Sequence, residues 1–115
     1  MIFIDANTIS EVASYNEPST QADGSPLTDL AFTSVFYQID TAPSVKVADV
    51  PASSPSGGRA QTVVMRVPIP VGNSVVVSFH VTATDISGLE SLSSPVLTLH
   101  VDRLAPSAPT NFTIA

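Results

Sequence analysis

Ser74 to Asp102 reads SVVVSFHVTATDISGLESLSSPVLTLHVD. Val75, Val77, Phe79, Val81 and Ala83 recur at every second position, the period at which a strand presents side chains to one face. Leu97, Leu99 and Val101 repeat the alternation beyond a stretch rich in Gly and Ser. The pattern predicts two antiparallel strands joined by a turn, each with an apolar and a polar face.

The composition agrees with an all-β chain. A length of 115 residues suits one domain with a single core. Hydrophobic residues make up 43% and aromatic residues only 6%, so the apolar content is aliphatic, led by fifteen valines. Valine is stiff at χ1 and fits a pleated, half-buried surface better than a helix. Ten prolines exceed what a helical protein of this size tolerates but fit a sandwich with many turns. No apolar run is long enough to span a membrane as a helix.

Charge and cysteine content narrow the function classes. The formal charge is −6, with one lysine and three arginines scattered along the chain. That distribution cannot build the basic patch that nucleic acid or an anionic membrane requires. Without cysteine there is no disulfide, thiol nucleophile or Cys-based zinc site. The opening MIFIDANTIS lacks a basic n-region and a long apolar h-region, so it does not read as a signal peptide.

Strand and turn signals alternate along the rest of the chain. Met1 to Ile4 is a short apolar edge strand, and Ile9 to Tyr15 a strand of ambiguous facing. Asn16 to Thr28 is dense in turn chemistry, with Pro18, Asp23-Gly24 and Pro26. Leu30 to Ile39 places Thr33, Val35, Tyr37 and Ile39 on one face and Phe32 and Phe36 on the other, a strand covered on both sides. Val45 to Val50 ends at Pro51, and Ala52 to Gly58 reads as a flexible loop. Thr62 to Val67 is stopped by Pro68 and Pro70, and Val71-Gly72-Asn73 is a turn before the final hairpin. Strands at this spacing predict an antiparallel sandwich of about seven strands.

Several motifs carry a family resemblance. Ala83-x-Asp85-x-x-Gly88-x-x-Ser91 resembles the last hairpin of a fibronectin type III domain. Tyr15-Asn-Glu-Pro18 resembles the W-x-x-P that ends that family's second strand, with Tyr15 where Trp is usual. ADGSPLTDL resembles the bacterial and phage form of the following loop. Val77 occupies the place of the tyrosine-corner Tyr, a departure that removes one stabilising hydrogen bond. The resemblance implies an immunoglobulin-like, fibronectin type III-like β-sandwich over residues 1–104. APSAPTNFTIA, residues 105–115, resembles the opening of a following repeat. It is read as a repeat start, a disordered terminus, or a tail strand over Asn111 to Ile114 that pairs with a neighbour's sheet edge.

Residues that could carry chemistry are few. If the last hairpin turns about residue 90, His80 and His100 face each other with Cβ atoms about 5 Å apart, close enough to share a metal. No third ligand stands at that spacing, and zinc takes three or four, so two exposed strand histidines are the simpler expectation. Asp85 and Glu90 flank one turn, where calcium competes with ordinary turn-capping by the acid. No nucleophile elbow, phosphate-binding loop or dinucleotide glycine pattern is present. Asn111-Phe-Thr is a formal glycosylation sequon, meaningful only in a eukaryotic secretory protein.

The expectation is a non-enzymatic structural or interaction module without cofactor or metal. Its interaction surface is drawn from Phe32, Phe36, His80, His100, Asn111, Phe112 and Ile114. The first reading is an accessory protein decorating a phage capsid or tail, docking to a virion shell, tail or neighbouring subunits. The alternatives are a spacer or adhesion module of a larger secreted bacterial protein, in contact with cell-surface carbohydrate, or a homo-oligomeric fibre subunit using its C-terminal strand in trans.

Overall fold

The computed structural model describes residues 1–114. It contains seven strands and no helix: β1 (Ile2–Phe3), β2 (Thr8–Asn16), β3 (Leu30–Ile39), β4 (Val45–Pro51), β5 (Ala60–Pro68), β6 (Ser74–Asp85) and β7 (Leu97–Asp102). They form two antiparallel sheets, one of order β1-β2-β5 and one of order β4-β3-β6-β7. The strands begin and end close to where the alternation and the prolines place them. Strand β2, ambiguous in sequence, turns its odd residues inward: Ile9 is fully buried and Ala13 and Tyr15 pack against the core.

The core is concentrated towards one pole. Ile9, Val35, Tyr37, Met65, Val67, Ile69, Val77 and Val101 form the buried cluster. The register puts Ile9 beside Val67, Tyr37 beside Phe79 and Val75 beside Val101. Here all the strands of both sheets are present. Towards the other pole β1 and β7 give out, and the layer lies between β2 and β5 on one side and β4, β3 and β6 on the other. Tyr15 spans it, its hydroxyl 2.6 Å from the Thr33 hydroxyl of the opposite sheet. Val77 stands in the middle of the main cluster, so this tyrosine-hydroxyl bridge is made from β2 instead.

The crossover from β4 to β5 carries the chain between the sheets, and it is not the flexible loop that its composition suggests. Glu17, 4% exposed at the end of β2, accepts four hydrogen bonds. They come from Ser53 Oγ (2.5 Å), Ser53 N (2.8 Å), Arg59 N (3.1 Å) and Gln61 Nε2 (3.1 Å). Leu30 N donates to the Pro55 carbonyl and Ala52 N to the Ala31 carbonyl. Gly57 completes the seat at φ +60, and a Cβ there would fall against the Pro18 carbonyl oxygen. Low-complexity Ser/Gly composition therefore supplies donors and a tight backbone approach rather than slack.

The opposite pole is tied by Arg103. Its guanidinium donates to the carbonyls of Ile69 (2.6 Å) and Asp5 (2.7 Å) and lies 4.7 Å from the centre of the Phe3 ring. One side chain thus joins the β1–β2 turn, the β5–β6 turn and the exit of β7.

Burial alone pushes the Glu17 carboxyl up, but the Ser53, Gln61 and Arg59 hydrogen bonds outweigh it and bring it down to about 2. A carboxyl depressed on folding stabilises the fold above its unfolded value and loses that contribution as pH falls through its folded value. Glu17→Gln is expected to destabilise the protein by about 2–4 kcal/mol at pH 7, since a primary amide brings two donors to a cluster of donors. The gap to the unsubstituted chain should narrow between the ordinary carboxyl range and pH 2, as followed by urea unfolding at stepped pH. Gly57→Ala should cost about 2–4 kcal/mol at every pH, from the left-handed backbone and the Pro18 contact together.

Candidate interaction surfaces

The outer face of the four-stranded sheet gathers three of the expected residues. Phe36 and His80 are direct partners across β3 and β6, their rings stacked 4.6 Å apart at 6°. Phe32 lies four residues back along β3 on the same face, half-buried like Phe36. Ser34, between them in sequence, is fully buried and donates to Asp49 at 2.6 Å. That bond holds the Asp49 carboxyl below the usual range, against a smaller effect of burial, with Lys46 assisting.

His100 does not join His80. The register pairs His100 with Val76, so the two histidines stand four positions apart along β6, about 13 Å. The facing of the two histidines that a turn about residue 90 would give is thereby corrected. The cause is the place of the turn: Thr84 pairs with Glu90, which centres it near residue 87. Phe79 pairs with Leu97 further down, so the returning segment carries two extra residues, which recover only part of the offset. Such extra residues deprive the β6 edge of regular carbonyl acceptors. Serine hydroxyls substitute: Ser91 Oγ accepts from Ala83 N (2.9 Å) and Ser94 Oγ from Val81 N (3.0 Å). The two acids of this turn are engaged separately. Asp85 accepts from Ser87 N and Leu89 N, and Glu90 from Thr82 Oγ1.

The same excursion carries an apolar rim that sequence reading did not single out. Ile86, Leu89, Leu92, Val96 and Leu97 are all exposed, Leu92 at 93%. Ile86, Leu89 and Leu92 read as turn residues in the sequence, whereas Leu97, read there as an inward residue of the last strand, is 72% exposed at the start of β7. The rim borders a groove of about 450 Å³ between the Tyr15 end of β2, Leu27, Leu30 and the Val81–Asp85 half of β6. A second hollow of about 400 Å³ runs beside Val12, Ala13, Phe79 and Leu97. Together they follow one side of the sandwich, where β2 and β6 face each other across the gap between the sheets.

The tail residues Asn111, Phe112 and Ile114 lie apart from both surfaces. Residues 103–114 form no strand, and Asn111 sits at φ 58. A strand over Asn111 to Ile114 is the reading of this segment that requires the edge of a neighbouring molecule, since a strand needs a partner. Phe112 and Ile114 are 87% and 88% exposed. No protein-family model, curated protein or solved structure matches the chain.

Removing a hydroxyl that stands in for a ladder carbonyl leaves a strand amide without its acceptor. Ser94→Ala is expected to cost about 1 kcal/mol. In hydrogen-exchange NMR it should speed exchange of the Val81 amide while Val77 keeps its protection, and Ser91→Ala should do the same to Ala83.

Proposed function

We propose that the chain is a non-enzymatic structural and interaction module of fibronectin type III kind, acting as an accessory protein on the surface of a phage virion. It works by docking to protein. The observation that carries the reading is the apolar rim, in which Ile86, Leu89, Leu92, Val96 and Leu97 are all exposed, the kind of surface that marks a protein-docking site. The division into sheets of three and four strands, with β1 and β7 at corresponding edges, supports the family reading. The acids support a structural role, since Glu17, Asp49 and Asp85 are each committed to holding a loop or strand.

A second reading is favoured by the tail, where Pro106 and Pro109 precede Asn111 as at the opening of a further repeat. On that reading the chain is a spacer or adhesion module of a larger secreted bacterial protein, its loops turned towards cell-surface carbohydrate.

The flanking genes separate the two. Capsid or tail genes on both sides are expected; further repeats or a catalytic domain in the same reading frame would overturn the virion reading. For docking itself, Leu89→Ser with Leu92→Ser is expected to weaken binding to purified particles at least tenfold while leaving the far-ultraviolet spectrum and unfolding midpoint unchanged. Undiminished binding by that variant would remove the rim from the account.

A further inference from the structure

Strand β2 is an edge along only part of its length. Ile2 pairs with Ser10 and Phe3 with Ile9, and no strand continues this pairing beyond them. The direction of the exposed main-chain groups follows from parity. The Thr8 carbonyl accepts from Ile4 N and Asp5 N on the β1 side, whereas Glu17 N donates to Arg59 on the β5 side. The β2–β5 register runs from Thr8 to Asn16 without interruption, so even residues point to the β1 side throughout. Val12, Ser14 and Asn16 therefore present N–H and C=O groups to the open side, and no backbone partner meets them there among the described residues.

The Tyr15–Asn16 end of this half-edge lines the groove, with the Leu89–Ser94 segment forming part of the other wall, and Val12 to Ser14 line the second hollow beside Phe79 and Leu97. The space has the form of a missing strand: main-chain groups along one side, apolar side chains below. The chain also carries a segment of matching chemistry. Residues 105–114 hold no charged side chain, and Phe112 and Ile114 stand two apart, the spacing that puts both on one face of a strand. The molecule extends 76 Å along its longest axis, although β6, its longest strand at 12 residues, spans only about 40 Å. The remainder is the tail, projecting from the Arg103 pole.

Direction decides between self and neighbour. Strand β2 runs away from the Arg103 pole, so the tail of the same molecule could reach the open edge only by running parallel to it. A tail arriving from another molecule enters at the far pole and runs antiparallel, as β1 already does. We propose that the tail of one copy adds as a strand to the open half of β2 in a second copy. Phe112 lies opposite Tyr15 and enters the groove, and Ile114 lies opposite Ala13 and enters the second hollow. Asn111 and Thr113 then meet the main-chain groups of Asn16 and Ser14. Asn111 leaves its left-handed conformation on pairing, a change that asparagine makes at low cost. The contact is heterologous, so it propagates head to tail rather than closing on a dimer. It does not depend on the assembly in which the chain serves.

Two variants test this by sedimentation and light scattering. Phe112→Asp with Ile114→Asp disables the donor without touching the sandwich. Ser14→Pro disables the acceptor; its amide faces the open side, so no ladder bond is lost, and circular dichroism checks the fold. The unsubstituted chain is expected to form concentration-dependent multiples of its 11.9 kDa mass. Either variant alone should stay monomeric, with association weakened about 100-fold or more. An equimolar mixture should stop at twice the monomer mass, because one intact donor meets one intact acceptor. A native chain that remains monomeric into the millimolar range would overturn the proposal, as would oligomers that persist in both variants. Neither of those results bears on the Leu89–Leu92 rim, which is tested separately on particles.

Discussion

The Glu17 carboxylate is the point on which the two sheets depend. A sandwich must return its chain from one sheet to the other, and here the return passes through a segment of Ser, Pro and Gly with no Val, Leu, Ile, Met or aromatic side chain to anchor it. A buried carboxylate without a facing cation is costly unless neutral donors replace its water. Ser53, Arg59 and Gln61 supply them, two through main-chain amides and two through side chains. The acid thus converts a flexible composition into a fixed crossover, and it holds the ends of β2 and β5 against the start of β3.

The poles of the molecule are built differently. At the Arg103 pole the apolar side chains of both sheets interlock, and the arginine fastens the turns beneath them. At the Glu17 pole the layer is held by directed polar contacts, Tyr15 with Thr33 and the carboxylate with its donors. Polar contacts fix geometry without filling volume. The groove, the apolar rim and the open edge of β2 all lie towards that end or along its side, so the surfaces available to partners coincide with the part least occupied by the core.

Much of the architecture was legible in the chain because valine-rich alternation is a direct statement of which face is buried. Val75 to Ala83 and Leu97 to Val101 placed the last two strands, and Pro51, Pro68 and Pro70 placed the ends of two others. Alternation reports facing but not register. Moving the centre of the hairpin from residue 90 to Gly88 keeps the parity of every residue, yet it separates His80 from His100 by four positions. The interaction residues divide for a similar reason. Phe32, Phe36 and His80 could be grouped by parity on neighbouring strands. The role of Glu17 could not, because its donors come from positions 53, 59 and 61, and nothing local in Asn-Glu-Pro announces a partner so distant. The open half-edge was equally hidden, since nothing in the sequence of β2 tells which of its residues a neighbouring strand meets.

Strand β2 leaves an unpaired edge along Val12, Ser14 and Asn16. Residue-resolved amide exchange in dilute solution reads that edge one amide at a time. Val12 and Ser14 should exchange at nearly the rate of unstructured amides while Ala13 and Tyr15, which point to β5, remain protected. The alternation should disappear when a peptide of residues 105–115 is added in excess. Protection of Val12 and Ser14 equal to that of their neighbours in the dilute, peptide-free chain would contradict the account.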